Sequence, residues 1–563
     1  MSERFNIQRF VKRHKKTVAK VIFVFTLILV CFVYLDSSQL QNFIVNKAGP
    51  SKIGTLLTIA WAACYLSIVA SYTLLFIVKS RPIRILSYIF TFFTLLVCFS
   101  TKITHAEYFG IGEANTILEE FQWAKEAFRA YYINYLYAGA GSIIFIAAII
   151  KLIRVVNIPR VNSKVAMLFP LFCGIATIIT FRTNAYVTPF SPLVDVPLLT
   201  AYASTTMPHF GKRNNVLFMA AEKPKAKHIV LIIDETVRGD LLQINNDTLT
   251  NTPFLSSIKE TYLNFGIAAS SSNTSRASNM IMMSGLTPQQ LPDENHKYAS
   301  NPNIFQYAQQ AGYKTYYVDG QNTADNPQNN MTKYDFMSID HYRQIFKIFP
   351  NIETYESDYK ITDQIENILK SDSNTFTYVI KYGCHFSYQN RYPISQEIYA
   401  PAYANNDVYT DRGTALNTYY NAISWSVDGF FKELLPKIED KEVLIIYVSD
   451  HGESIMEQGD FCGHFQSIDP PNEQANIPFL IFEFGLDSTS IVQNLRDNQK
   501  VNNNKLSQFQ VFPTCLYLMG YEKSKVNLIY GPTIIDAPIY PRTFLSGVIY
   551  YPEYTYINVY DNN

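Results

Sequence analysis

The segment Ser449-Asp450-His451-Gly452-Glu453-Ser454 puts a carboxylate and an imidazole side by side, with a second carboxylate two positions on. Adjacent Asp and His offer an oxygen and a nitrogen ligand to a divalent cation such as zinc. The unbroken apolar run before them, 443–448, predicts a strand buried on both faces, as in a parallel α/β sheet. The carboxyl end of such a strand is where open α/β sheets place their ligand sites.

Three more segments could join that pair. Ile233-Asp234-Glu235-Thr236 ends another apolar run, 228–233, and supplies a carboxylate at a strand end. Side chains alternate along a strand, so one of Asp234 and Glu235 faces a metal. The turn Ser270-Ser271-Ser272-Asn273-Thr274-Ser275-Arg276-Ala277-Ser278-Asn279 feeds an apolar helix. A helix cap accounts for one of its hydroxyls and leaves the others unexplained. A hydroxyl at a helix N-terminus beside a metal is a nucleophile, activated by the cation and by the positive helix end, and the same geometry favours phosphate. His385, in the segment Tyr382 to Pro393, and His464, thirteen residues past His451, add imidazoles suited to a phosphate or a second metal.

The elements needed to hold these segments are legible around them. Strands are predicted at 228–233, 314–318, 375–381, 443–448 and 478–482, and helices at 303–310 and 414–435. Alternating strands and helices imply a mostly parallel sheet covered on both faces. Some 340 residues can bury a large core without disulfides.

The first third of the chain is different. Apolar stretches at 18–35, 55–78, 83–100, 136–153 and 165–181 each approach the roughly 20 residues a helix needs to cross a membrane. The fourth carries Gly139 and Gly141, and the fifth is the shortest and contains Pro170. Basic residues crowd the N-terminus, the second–third loop (Lys79, Arg81, Arg84) and the fourth–fifth loop (Lys151, Arg154, Arg160, Lys164). The positive-inside rule then makes the N-terminus cytoplasmic and places everything past about residue 183 outside. The expected organisation is a five-helix transmembrane domain over 1–182, a Pro-punctuated linker over 183–226 and an extracytoplasmic catalytic domain over 227–563. With 47 basic and 47 acidic residues the formal charge is zero, so nothing points to nucleic acid. Three cysteines lie outside the spans, too few for a disulfide scaffold. Cys384 and Cys462, each within two residues of a His named above, are the candidate pair for a single bridge.

Five spans, a strand ending in an acid, a Thr-containing turn, Gly-x-His…Arg-Tyr-Pro at 383–393, Ser-Asp-His-Gly-Glu at 449–453 and a further His together resemble the bacterial phosphoethanolamine transferases of the alkaline phosphatase/sulfatase superfamily. Leu416-Asn417-x-Tyr419-x-Asn421 is similar to that family as well. The resemblance implies an inner-membrane enzyme with a periplasmic, alkaline phosphatase/sulfatase-like domain, acting as a monomer. It implies zinc, with manganese or magnesium as alternatives, held by Glu235, Asp450, His451 and the nucleophile. It implies a phosphatidylethanolamine donor, an acceptor such as lipid A or another envelope glycan, and a phospho-threonine intermediate. His385 and His464 match the histidines that bind substrate or a second metal. For the nucleophile, alignment on Thr-Ser gives Thr274, the spacing to Ser284 gives Ser275, and the sulfatase-like Ser-Arg gives Ser272. The family's flanking cysteines are missing here and Arg276 is an intruder. The related glycerol-phosphate polymerase of lipoteichoic acid, and a hydrolytic sulfatase or phosphatase, are the alternatives; Gly-x-His…Arg-Tyr-Pro favours phosphoethanolamine transfer.

Overall fold

The computed structural model describes residues 7–35, 52–105, 109–110, 114, 124–183, 190–206, 211–322, 329, 331–404, 407, 409–457, 462–464, 470–486, 491–536, 542–546, 549 and 556–558. The chain divides into two compact units, Met1–Met207 and Pro208–Asn563.

The first unit is helical: α1 (Ile7–Leu35), α2 (Lys52–Leu75), α3 (Arg81–His105), α4 (Ala124–Val155), α5 (Leu168–Thr183) and α6 (Pro192–Thr206). Among the described residues four helices, α1 to α4, are long and apolar enough to cross a membrane. The expected fifth span is shorter: α5 has 16 residues, about 24 Å at 1.5 Å per residue, against a hydrocarbon core of about 30 Å. Pro170 lies in its first turn, where a missing N–H costs no helical bond. A 3₁₀ turn, Ser163–Met167, runs directly into it. Gly139 and Gly141 on α4 lie against Leu96 and Phe99 of α3, with room for little more than a Cβ. Small residues at such a crossing let two membrane helices approach closely. Residues 192–206, within the stretch expected to be a linker, form helix α6. Pro192 opens it, and buried Asp195 accepts from the N–H groups of Phe190 and Ser191 just ahead of it.

The second unit is built on a seven-stranded sheet ordered β2-β9-β6-β1-β5-β3-β4. Its strands are β1 (His228–Asp234), β2 (Leu263–Ala269), β3 (Lys314–Asp319), β4 (His341–Gln344), β5 (Thr375–Ile380), β6 (Val443–Ser449) and β9 (Asn476–Phe484). β1 pairs in parallel with β5 and β6, and β3 in parallel with β4 and β5, whereas β9 runs antiparallel to β6 and β2. Along β1, Ile229, Leu231 and Ile233 enter one apolar core and Val230 and Ile232 the other. Two covered faces explain why β1 and β6 read as nearly continuous apolar runs.

Helices α7 (Ser275–Ser284), α8 (Ile304–Gln310), α9 (Ser357–Leu369), α10 (Arg412–Ile423) and α11 (Phe430–Ile438) belong to this unit. Asn303 caps α8, accepting from Gln306 N at 2.9 Å. The helix expected over 414–435 is interrupted by a π-helical turn, Ser424–Gly429. Within that turn the Ser426 carbonyl accepts from Lys381 Nζ at 2.5 Å.

Neither Cys384 nor Cys462, the candidate pair for a single bridge, forms a disulfide in the structure. Cys384 Sγ instead contacts Ser426 Oγ at 3.2 Å, and Cys462 sits in a two-residue strand, β8 (Cys462–Gly463), paired to β7 (Ser454–Ile455). Burial pushes both thiols up, which keeps them protonated and unreactive. Alkylation of the protein after denaturation without reductant should therefore label both; an unlabelled pair that reductant releases would show a bridge.

Candidate active site

Five chain segments end at the carboxyl edge of the parallel strands, and the cluster forms there. β1 delivers Glu235, β6 delivers Asp450 and His451, β2 leads into the hydroxyl turn and α7, β5 leads to His385, and β3 leads to Gln321. Glu235, Asp450 and His451 are all buried, and each offers a ligand atom within 4.8 Å of the others. His451 Nε2 lies 3.7 Å from Glu235 Oε1 and 3.5 Å from Asp450 Oδ2.

Backbone contacts orient Asp450 and His451, and side-chain donors orient Glu235. His451 Nδ1–H donates to the Gly452 carbonyl at 2.6 Å, which leaves the Nε2 lone pair facing the carboxylates. Asp450 Oδ1 accepts from Thr236 N at 3.0 Å and His451 N at 2.7 Å. Asp450 Oδ2 is buried with no hydrogen-bond donor. Glu235 Oε1 accepts from Thr236 Oγ1 at 2.8 Å, and Glu235 Oε2 accepts from Gln321 Nε2 at 2.7 Å. Of the two acids at the end of β1, Glu235 faces the cluster. Asp234 points behind it to Lys381 Nζ and to Tyr447 OH, the latter at 2.7 Å.

The electrostatics suit a cation. Burial drives the Asp450 carboxyl well up, and the charge of Glu235 adds to this. Glu235 is buried as deeply, yet the neighbouring imidazoles of His385 and His451 hold it below the usual range. Burial, reinforced by His464, pushes His451 down, so its imidazole is neutral and free to ligate. Two buried carboxylates, one oxygen without a donor and one free imidazole nitrogen form a donor set that fits zinc.

From the hydroxyl turn, it is Ser275 that reaches this cluster. Its Oγ lies 3.1 Å from Glu235 Oε1 and 3.1 Å from His451 Nε2. Thr274, the expected nucleophile and fourth ligand, is the N-cap of α7 with an extended backbone, and its Oγ1 lies 3.4 Å from Ser272 Oγ. Ser272 is fully buried and its Oγ is turned towards Thr274. Ser275 is the first helical residue, so its side chain leaves the turn in a different direction and meets the positive helix end.

The two further histidines border the cluster. The His464 ring lies on that of His451, with centroids 3.9 Å apart, and its Nδ1 is 3.9 Å from Glu453 Oε1. His385 Nδ1–H donates to the Phe386 carbonyl at 2.6 Å, which fixes the ring tautomer. Its imidazole is one of the groups that hold the Glu235 carboxyl below the usual range. Arg391 of the Arg-Tyr-Pro segment donates from Nε to the His385 carbonyl at 2.6 Å and lies over the Tyr382 ring.

Gln321 and Lys381 are the contributors that sequence reading missed. Gln321 follows a strand that was expected, so a polar side chain at that carboxyl edge was the available signal. Lys381 is fully buried, and no local pattern marks its partners Asp234 and Asp358.

Gly383 shows how tightly the loop is set. Its φ is +56°, and a Cβ there would collide with Asp234 Oδ1 and with the Glu235 backbone. An alanine would add left-handed strain of about 1–2 kcal/mol to that clash. G383A is expected to displace Glu235 and to lower uptake of zinc added to the purified protein, which metal analysis would register; uptake equal to wild type would show that the loop yields.

The sulfatase family model matches residues 227–521. The chain is similar to the Kdo(2)-lipid A phosphoethanolamine 7''-transferase of Salmonella typhimurium, with 25% identity over 268 residues, 47% of this chain and 46% of that protein. It is also similar to the phosphoethanolamine transferase EptA of Helicobacter pylori, with 25% identity over 197 residues, 34% of this chain and 36% of that protein. The chain thus spans less than half the length of these curated relatives. Among solved structures, the integral membrane protein lipooligosaccharide phosphoethanolamine transferase A from Neisseria meningitidis has a similar fold. Its TM-score is 0.60 at 18% identity, over 92% of this chain and 98% of that one. The C-terminal periplasmic domain of EcEptC from Escherichia coli, solved in complex with Zn, gives a TM-score of 0.50 at 18% identity, over 61% of this chain and 96% of that one.

Proposed function

The chain belongs to the sulfatase family, and from that premise we propose that it is a membrane-anchored transferase moving phosphoethanolamine from phosphatidylethanolamine to an envelope glycan such as lipid A. One observation carries the chemistry: a serine hydroxyl at a helix N-terminus, 3.1 Å from two members of a buried three-residue ligand cluster. The named activities of the relatives supply the group transferred.

Zinc is the cation we assign to Glu235, Asp450 and His451, and it suits this donor set as it suits the similar EcEptC domain. When bound, it supplies the Lewis acidity that lowers the pKa of a neighbouring hydroxyl. Ser275 Oγ gives up its proton and forms a bond to phosphorus as the bond from phosphorus to the diacylglycerol oxygen breaks. The leaving oxygen takes up a proton as diacylglycerol departs. We assign to His464, which lies against His451 and is partly exposed, the passage of the serine proton to that leaving oxygen, and to His385 the offsetting of charge on the phosphoryl oxygens. An acceptor hydroxyl then displaces the serine, restoring its Oγ–H. The covalent intermediate is a phosphoserine in place of the phosphothreonine expected from Thr274.

The membrane unit supports a lipid donor. Basic loops at 79–84 and 151–164 support a cytoplasmic N-terminus and a periplasmic second unit. With the 3₁₀ turn ahead of it, the helical segment 163–183 reaches about 34 Å, enough for a fifth crossing.

The full chain, reconstituted in phosphatidylethanolamine liposomes with lipid A, should yield phosphoethanolamine-modified lipid A and diacylglycerol by mass spectrometry. Glycerol-phosphate transfer from phosphatidylglycerol, or release of free phosphoethanolamine without acceptor modification, would contradict the reading.

A further inference from the structure

The hydroxyl turn and the ligand-bearing end of β6 must be held at a fixed separation, although Ser275 and His451 stand 176 positions apart in the chain. Gln508 joins them. Its side chain is fully buried. Oε1 accepts from Ser271 N at 2.9 Å and from Ser271 Oγ at 2.6 Å. Nε2 donates to the Ser449 carbonyl at 2.8 Å and to the Asp450 carbonyl at 3.1 Å. Every hydrogen-bonding valence of the amide is used. The orientation is unambiguous, because a backbone N–H can only donate and two carbonyls can only accept.

The backbone of Gln508 is anchored too. It begins a 3₁₀ turn, Gln508–Gln510, capped by Ser507, and Ala269 N donates to the Leu506 carbonyl at 3.0 Å. The amide therefore stands on the same strand, β2, that feeds the turn. Across the turn, Asn273 Nδ2 donates to Gln474 Oε1 at 2.8 Å, and Leu545 N donates to the Ser271 carbonyl at 3.0 Å. From Ser271 the chain has four residues to reach Ser275, so the position of Ser271 against Asp450 sets the position of the attacking oxygen.

We propose that Gln508 is a positioning residue that fixes Ser275 relative to Asp450 and His451, and so governs the rate of attack at phosphorus without contributing to lipid or metal binding. This rests on the transferase reading above. A misplacement of about 1 Å at a reacting atom can cost about a hundredfold in rate. Q508M keeps the chain length and removes all four bonds. S271A removes one hydroxyl bond and leaves the backbone bonds in place, which keeps the test readable if Q508M does not fold.

The full chain, loaded with zinc in detergent, should show wild-type metal content and an unchanged KM for phosphatidylethanolamine in both variants. Turnover should fall by about 10–100-fold in Q508M and severalfold in S271A. The double variant should be no slower than Q508M, because both changes break one link. Turnover of folded, metal-loaded Q508M within about threefold of wild type would overturn the proposal, as would a loss that merely tracks lost metal. If Q508M does not fold, S271A at wild-type turnover would overturn it. The wild-type measurement tests the transferase reading separately, and the variant-to-wild-type ratio can also be read on an artificial phosphodiester.

Discussion

Replacing Ser275 with alanine is expected to lower transfer by at least about a thousandfold, because it removes the atom that bonds to phosphorus. The expectation is specific to this residue. Ser275 Oγ meets Glu235 and His451, whereas Thr274 Oγ1 faces Ser272. T274A should retain most of the turnover, since Thr274 makes no side-chain capping bond to α7. S275T keeps a hydroxyl at the helix start and should remain active. Parallel turnover measurements on the three variants check the assignment. An inactive T274A beside an active S275A would return the nucleophile to Thr274.

The second large effect concerns the metal. D450N preserves the Oδ1 acceptor for Thr236 N and His451 N and changes only the oxygen that has no donor. Changes to groups that merely support a ligand cost about 10–100-fold in metal affinity, so loss of a ligand should cost at least about a hundredfold. Activity should fall in step and should also vanish on chelation. Stability should move the other way in the metal-free protein. Burial and Glu235 raise the Asp450 pKa in the fold, so its charged form is disfavoured above its unfolded value. Asparagine removes that cost, and metal-free D450N should melt no lower than metal-free wild type. Zinc at about a thousandfold over its Kd should stabilise the wild type by about 4 kcal/mol and the variant far less. Calorimetry with and without zinc checks both parts; equal stabilisation of the two proteins would remove Asp450 from the ligand set.

The strands and their terminal acids were legible because β1 and β6 are buried on both faces, which forces apolar runs that stop where the chemistry begins. The antiparallel direction of β9 was not legible, since its apolar run fits either direction. Helix α6 was hidden by Pro192 and Pro197, of which the first occupies the opening position that helices tolerate. The choice between Thr274 and Ser275 turns on where the helix starts: one residue rotates a side chain by about 100°. Gln321 and Gln508 act through side-chain hydrogen bonds to segments distant in the chain, and such contacts leave no local pattern. The supposed Cys384–Cys462 bridge rested on closeness to histidines in the chain, which says nothing about where two thiols point.

The most direct measurement is intact-mass and fragment analysis of the zinc-loaded full chain after brief exposure to phosphatidylethanolamine without acceptor. The expected result is one phosphoethanolamine adduct, mapped to Ser275, that disappears when lipid A is added. An adduct on another residue, or diacylglycerol released while the protein stays unmodified, would contradict a covalent serine mechanism.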